Sequence, residues 1–230
     1  MRLMSAIRQD VRFQVRHRFY MAYLVMTMLY IAILWFVPVM YKGYAVTFIV
    51  FSDPCGLGFF FVGGLILLER DQNIINALFV TPLRVHEYIW AKVLSLTLLA
   101  VVTSVMIASV GLGFGQFRLG LLIVGIILSA ICFTLLGITL AIRVKTVNQY
   151  FIGSALYSVF FLPLLNYTGL IDVPWLNLLP TAAVLDLLSA ALLHSPVHAG
   201  SFFLLIGWIG IAFWWAQIWF KRYIIWGIGE

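Results

Sequence analysis

Charge is what this sequence has least of. Asp, Glu, Lys and Arg make up 10% of its 230 residues, against about 25% in ordinary soluble domains. A water-soluble fold with a polar exterior is thereby excluded. Cysteine is scarce too: Cys55 and Cys132 both fall in apolar stretches, where each reads as a small buried hydrophobe, and they imply neither a disulfide framework nor metal-ligand spacing. His194 and His198, in "HSPVH", are separated by Pro196 and have no third ligand beside them, so no metal site is expected. There is no GxxxxGK[ST] phosphate loop, so the chain is no ATPase by itself. Nor does any nucleophile sit with a positioned base; the serines of "GSALYS" have no partner histidine. No catalytic residue is assigned, and the chain is read as a non-enzyme.

What is there is hydrocarbon. The chain is 64% hydrophobic with a mean hydropathy of +1.09, and apolar segments run at about 20–40, 47–68, 89–112, 119–142, 149–170 and 200–220. Each matches the roughly 20 residues that cross a bilayer as a helix. The fold class is therefore all-α: one polytopic transmembrane domain, 1–230, with six transmembrane helices and no room for a sizeable soluble domain. A weaker stretch, "PWLNLLPTAAVLDLLSAALLHSP", carries Pro174, Pro180 and Asp186 and has too short an apolar part to span. It is read as a re-entrant outer segment, 171–198, between spans five and six.

The formal charge of +6 fits membrane orientation better than nucleic-acid binding, because the basic residues flank apolar runs rather than cover a wet surface. With both termini cytoplasmic, Arg2, Arg8, Arg12, Arg16, Arg18, Arg70, Arg84, Lys92, Arg143, Lys145, Lys221 and Arg222 lie inside, and Lys42 and Arg118 outside. That asymmetry is what the positive-inside rule requires. No cleavable signal is read at the N-terminus. In residues 1–18, Met4, Ile7, Val11 and Val15 recur on one side of a helix and Arg8, Arg12 and Arg16 on another. This describes a basic amphipathic helix at the inner interface, facing lipid headgroups; plain topogenic charge ahead of the first span is the simpler reading of the same residues.

The loop after the second span is the other polar feature. In "LLERDQNIINALFVTPLRVHEYIWAKVL", Asp71 is placed as an N-cap, Ile74, Ile75, Leu78 and Phe79 form an apolar face, and Thr81-Pro82 ends a short helix. A helix with an apolar face must dock on something, either a partner or this chain's own helix ends.

Glu69-Arg70-Asp71, Ala77-Leu78, Thr81-Pro82-Leu83, Glu87-Tyr88 and Lys92 together resemble the corresponding loop of ABC-2 type permeases, where an acidic start, a short helix and a "TPL" turn lead to a basic residue opening the third span. The pattern commonly has Gly where this chain has Asn73, and often an acid where it has Asn76. The resemblance extends in outline to the whole chain: interfacial helix, six spans, and re-entrant outer helices. It implies the membrane half of an exporter, with a cytoplasmic coupling loop at 69–88. Glu69 and Arg70 would stand at its hinge, Asn73, Ile74, Ala77, Leu78 and Phe79 against a separate ATPase subunit, Thr81 and Pro82 at its end, and Arg84 and Lys92 against headgroups or the partner. It also implies ATP and Mg on that ATPase rather than a cofactor here, a second permease chain, identical or not, and a bacterial inner-membrane location. Small six-span members include drug exporters of the fluoroquinolone-export type, relatives of the cytochrome-biogenesis permease, and bacteriocin-immunity permeases. A hydrophobic or amphipathic drug suits the apolar chain best. An ion-coupled carrier and a non-transporting scaffold are the alternatives.

Polar residues within the apolar runs complete the candidates. Asp53, in "FSDPCGLGFF", is either a pathway carboxylate facing protein or a watery cavity, or the mouth of a helix that begins near Pro54. Asn166 and Tyr167 either line the pathway or mark the interface. Gly56, Gly58, Gly63, Gly64 and the Gly111–Gly115 pair read as packing positions. Trp214, Trp215 and Trp219 read as the aromatic belt of the last span.

Overall fold

The computed structural model of the chain describes residues 2–74 and 84–222. Among them every long element is a helix. An amphipathic helix α1 (Arg2–Arg16) turns through Arg18, in the left-handed region at φ 61°, into α2 (Phe19–Phe36). Then come α3 (Val39–Asp71), α4 (Val85–Leu112), α5 (Leu119–Ala141), α6 (Val147–Tyr167), the short α7 (Pro180–Leu192) and α8 (Ala199–Phe220). Six of these, α2 to α6 and α8, are long and apolar enough to cross a membrane.

Two boundaries differ from the sequence reading. The second span begins at Val39, directly after a two-residue turn at Val37-Pro38, because Lys42 and Gly43 interrupt hydropathy without interrupting helical hydrogen bonding. Asp53 is accordingly deep within a 33-residue helix, not at a helix mouth near Pro54. Similarly the third span begins at Val85, where the Glu87 carboxylate accepts from the Arg84 backbone N–H at 2.8 Å and caps the start.

Helix α5 is the central element. Two thirds of its apolar window (67%) is buried, against 17% for each of α2, α6 and α8, so the outer helices give most of their surface to lipid or to another chain. It packs on α3, α4, α7 and α8. Close approach needs small residues: a Cβ on Gly63 would enter the Tyr150 ring and one on Gly137 would strike the Phe59 carbonyl. Of the Gly111–Gly115 pair only Gly111 packs, since a Cβ there would strike Val46; α4 ends at Leu112 and Gly115 serves a turn at φ 86°. Pro163, lacking an N–H, follows a 3-10 turn (Ser158–Phe161) inside α6.

At 13 residues, α7 is about 20 Å long, well short of the ~30 Å hydrocarbon layer. It is nonetheless buried on nearly every side. Its last turn accepts a hydrogen bond from the Arg118 N–H to the Ala191 carbonyl (2.9 Å), and Leu193 lies against Gly43. It therefore enters from the end of the bundle that carries Lys42 and Arg118 and returns to it, opposite the end that carries α1.

Candidate functional site

The densest polar construction lies where α3 stops and α4 starts, at the root of the loop singled out above. On α4, Tyr88, Lys92 and Ser95 recur at helical spacing and form one stripe; on α1, Asp10 and Gln14 do the same one turn apart. Glu69 comes from the last turn of α3. The two stripes and Glu69 converge. The Lys92 ammonium donates to Asp10 Oδ1 and to Glu69 Oε1, and Ser95 Oγ donates to Asp10 Oδ2. Gln14 Nε2 also donates to Asp10 Oδ2 at 2.6 Å, and the Tyr88 hydroxyl donates to Glu69 Oε2 at 2.7 Å. All six residues are buried, Lys92 to 1% exposure. Its charge also lies 5.6 Å from the Phe13 ring centroid and 5.5 Å from that of Tyr88.

Burying three charges costs several kcal/mol per ion, and the geometry offsets this only because each carboxylate meets the ammonium and a second donor. The consequence is mechanical. One ammonium links α1, the end of α3 and the start of α4, so both stems of the loop and the amphipathic helix are tied into one body. Arg70 extends that body: its guanidinium donates to the carbonyls of Ile142 (3.0 Å) and Val144, which the end of α5 leaves without helical partners. Gln72 Nε2 and His17 Nε2 lie 3.0 Å apart and link the loop stem to the end of α1. Beside the cluster is a cavity of about 270 Å³, walled by Ala6 and Phe13 of α1, Ile74, and Ala91 of α4, with Asp10, Glu69 and Lys92 along it.

Of the residues assigned to the coupling loop, Glu69, Arg70, Asn73 and Ile74 are placed here, while Ala77, Leu78, Phe79, Thr81 and Pro82 lie outside the described residues. The side chains of Glu69 and Arg70 turn into the protein. Lys92, expected at headgroups or a partner, is instead the buried centre of the cluster. Asp71 is not an N-cap but the last residue of α3, and the break falls two residues on, at Asn73, whose φ is 55°. Glycine adopts that conformation freely and asparagine is among the few other residues that tolerate it. This gives a physical reason why Asn stands at a position where the resembling loops have Gly. Asp10, Gln14 and Ser95 escaped the sequence reading, and Tyr88 entered it only as part of the loop motif. A signal for Asp10 was present: it is a lone acid within an otherwise basic helix.

The face of α1 that meets the protein is largely polar. Ala6, Asp10 and Gln14 are buried, whereas Met4 and Val15 are exposed. The apolar side of this helix is free to face lipid, and a polar stripe seats it on the bundle.

Asp53 and Asn166 are far from this cluster and from each other in role. Asp53 starts a π-helical turn (Asp53–Leu57), in which the Gly58 N–H reaches back five residues to the Asp53 carbonyl, accommodating Pro54 within the helix. Its carboxylate is buried and accepts from Thr103 Oγ1 and, at 3.2 Å, from Ser104 Oγ, both on α4. Asn166 clamps the turn after α6: its amide donates to Asn177 Oδ1 (3.1 Å), and its own oxygen accepts from the Val173 N–H (3.0 Å). Trp215 and Trp219 do more than anchor, since the Arg143 guanidinium stacks over them at 4.9 and 4.0 Å from the ring centroids. His198 bonds Asp186 at 2.9 Å, and among the described residues no three His, Cys, Asp or Glu side chains group as metal ligands.

Comparison with known proteins places the chain in a family. The chain is 32% identical over 192 residues to the fluoroquinolones export permease proteins of two strains of Mycobacterium tuberculosis, a match that covers 83% of this chain and 81% of each relative. The family model for fluoroquinolones export permease proteins matches residues 1–227. The chain therefore belongs to the fluoroquinolones export permease protein family, as a six-span member whose loop between spans two and three is rooted in a buried ion cluster.

Proposed function

We propose that this chain is the membrane-spanning half of an ATP-driven exporter for a hydrophobic or amphipathic drug, with planar fluoroquinolone-like compounds as the first substrates to try. A separate ATPase subunit, holding ATP and Mg, docks on the loop 69–88 and drives it. The observation that carries this reading is the Lys92 bridge between Asp10 and Glu69. A loop between spans needs no such anchorage to serve as a connector. One that must transmit force does, because a push at residues 73–82 reaches α3 and α4 only if its two stems are rigidly joined.

Two permease chains form the pathway in this reading, in the bacterial inner membrane, with N- and C-termini cytoplasmic. The positive-inside count supports that orientation: the end bearing α1, Arg70, Arg84, Lys92, Arg143 and Lys221 carries nearly all the basic residues. The mostly unburied α2, α6 and α8 leave surface for the second chain. Asp53 and Asn166 are the polar residues assigned to the pathway, Asp53 midway along α3 and Asn166 at the opposite end from the loop.

The test is a pull-down of tagged protein from mild detergent, wild type beside Leu78→Asp/Phe79→Asp, with mass spectrometry and an ATPase assay on the eluate. Co-purification of a P-loop ATPase with wild type and its loss from the variant is the expected result. Drug transport by the purified chain alone in vesicles would overturn it.

A further inference from the structure

Among the described side chains, the ion cluster at the loop root does not balance. Asp10 and Glu69 bring two carboxylates, and Lys92 one ammonium. A further acceptor, the buried Gln14 Oε1, has no donor among the described residues. The next cation, Arg70, is held on the carbonyls of Ile142 and Val144. An uncompensated charge in such a site is costly, and low dielectric makes a matching cation correspondingly favourable. Room for one is present in the cavity of about 270 Å³ that runs along Asp10, Glu69 and Lys92.

We propose that this cavity binds a primary ammonium group, seated against Asp10 and Glu69. A primary ammonium supplies a compact charge and three N–H donors, which suits a site rich in acceptors. A quaternary ammonium supplies no donor. The surroundings favour an ammonium joined to a phosphate. At 100° per residue, the cavity side of α1, marked by Gln9 and Phe13, leads round to Arg16 and Arg12. Both are exposed, and a phosphate one short linker from the bound ammonium falls within their reach. An ethanolamine-type headgroup has this chemistry; a water-soluble amine has its ammonium half. Because Ile74 and Glu69 border the cavity, its occupant touches the loop stem and α1 at once. The inference rests on the cavity and its charge, and stands or falls independently of whether an ATPase docks on the loop.

Native mass spectrometry of the full chain tests it, with phosphatidylethanolamine and phosphatidylcholine of identical acyl chains in competition, and free ethanolamine as a third arm. Wild type is expected to retain phosphatidylethanolamine over phosphatidylcholine by about tenfold, the worth of one charge-assisted hydrogen bond at the low end of its range. Ala91→Leu, which fills the cavity and leaves every ion in place, is expected to abolish that preference while circular dichroism stays unchanged; Ala6→Leu serves if Ala91→Leu fails to fold. Displacement of the lipid by millimolar free ethanolamine identifies a soluble amine as the occupant, and its failure to displace identifies the lipid. Equal retention of the two lipids by wild type without ethanolamine binding, or a preference that survives both cavity-filling variants, would overturn the proposal.

Discussion

Replacing Lys92 by Met is the sharpest test of how the loop root is built. Methionine keeps the length and most of the apolar volume of lysine, so packing against Phe13 and Tyr88 is retained and the change isolates the charge. What remains is two carboxylates, Asp10 and Glu69, 6% and 5% exposed, facing each other without the ammonium that bridged them. Removing one partner of a buried ion pair costs about 3–5 kcal/mol. For a chain of 230 residues that corresponds to a loss of roughly 6–20 °C in Tm, taking about 2–4 °C per kcal/mol. The assay is thermal unfolding in detergent of wild type, Lys92→Met, Asp10→Asn and the double variant. A coupling energy of about 0.5–3 kcal/mol between the two sites is expected from the cycle. The triple variant Asp10→Asn/Glu69→Gln/Lys92→Met should recover much of the loss, because neutral amides need no counter-ion. If Lys92→Met shifts Tm by less than about 2 °C and the cycle closes additively, the three groups are not a buried ion cluster, and the argument that they weld α1 to the loop stems is refuted.

Three further outcomes follow from other parts of the molecule. Asn73→Val should destabilise the chain by about 1–2 kcal/mol, because its φ of 55° is costly for a β-branched residue, while Asn73→Gly should be neutral in the same melt. Gly63→Leu puts a side chain into the Tyr150 ring; a loss of about 1–3 kcal/mol is expected, and an unchanged Tm would show that α3 and α6 are not in contact there. Asp53→Asn should keep the fold, since an amide oxygen still accepts from Thr103 and Ser104; drug efflux measured in the same variant then reports whether the carboxylate's charge serves transport, and lost efflux with intact Tm is the result expected on the pathway reading.

Much of this architecture was legible from composition. Six apolar runs against one that was too short gave the number of spans, since segment length against bilayer thickness is a one-dimensional comparison that needs no partner. The two boundary errors come from the same source as the successes: hydropathy dips at Lys42-Gly43 and at Arg84–Glu87, yet helical hydrogen bonding depends on backbone continuity, which a single polar residue does not break. The candidate site was half legible. Glu69, Arg70, Asn73 and Lys92 stood out as polar residues bracketing an apolar loop, but the reading sent Lys92 outward, since a lysine at a span end is usually solvated or at headgroups.

One of its two partners, Asp10, is 82 residues away in sequence. Asp10 belongs to an amphipathic helix whose pattern fits several rotations about its own axis, and nothing local distinguishes a face turned to lipid from one turned to protein. Chain chemistry alone determined the solvent, the number of crossings and the concentration of basic residues at one end, because each is read along short segments without knowing what packs beside them. Tertiary structure decided which face of α1 is buried, which carboxylates share the Lys92 ammonium, and that Asp53 lies within a continuous helix. Those depend on which helices pack side by side, and a buried charge is tolerable only where packing happens to deliver its counter-charge.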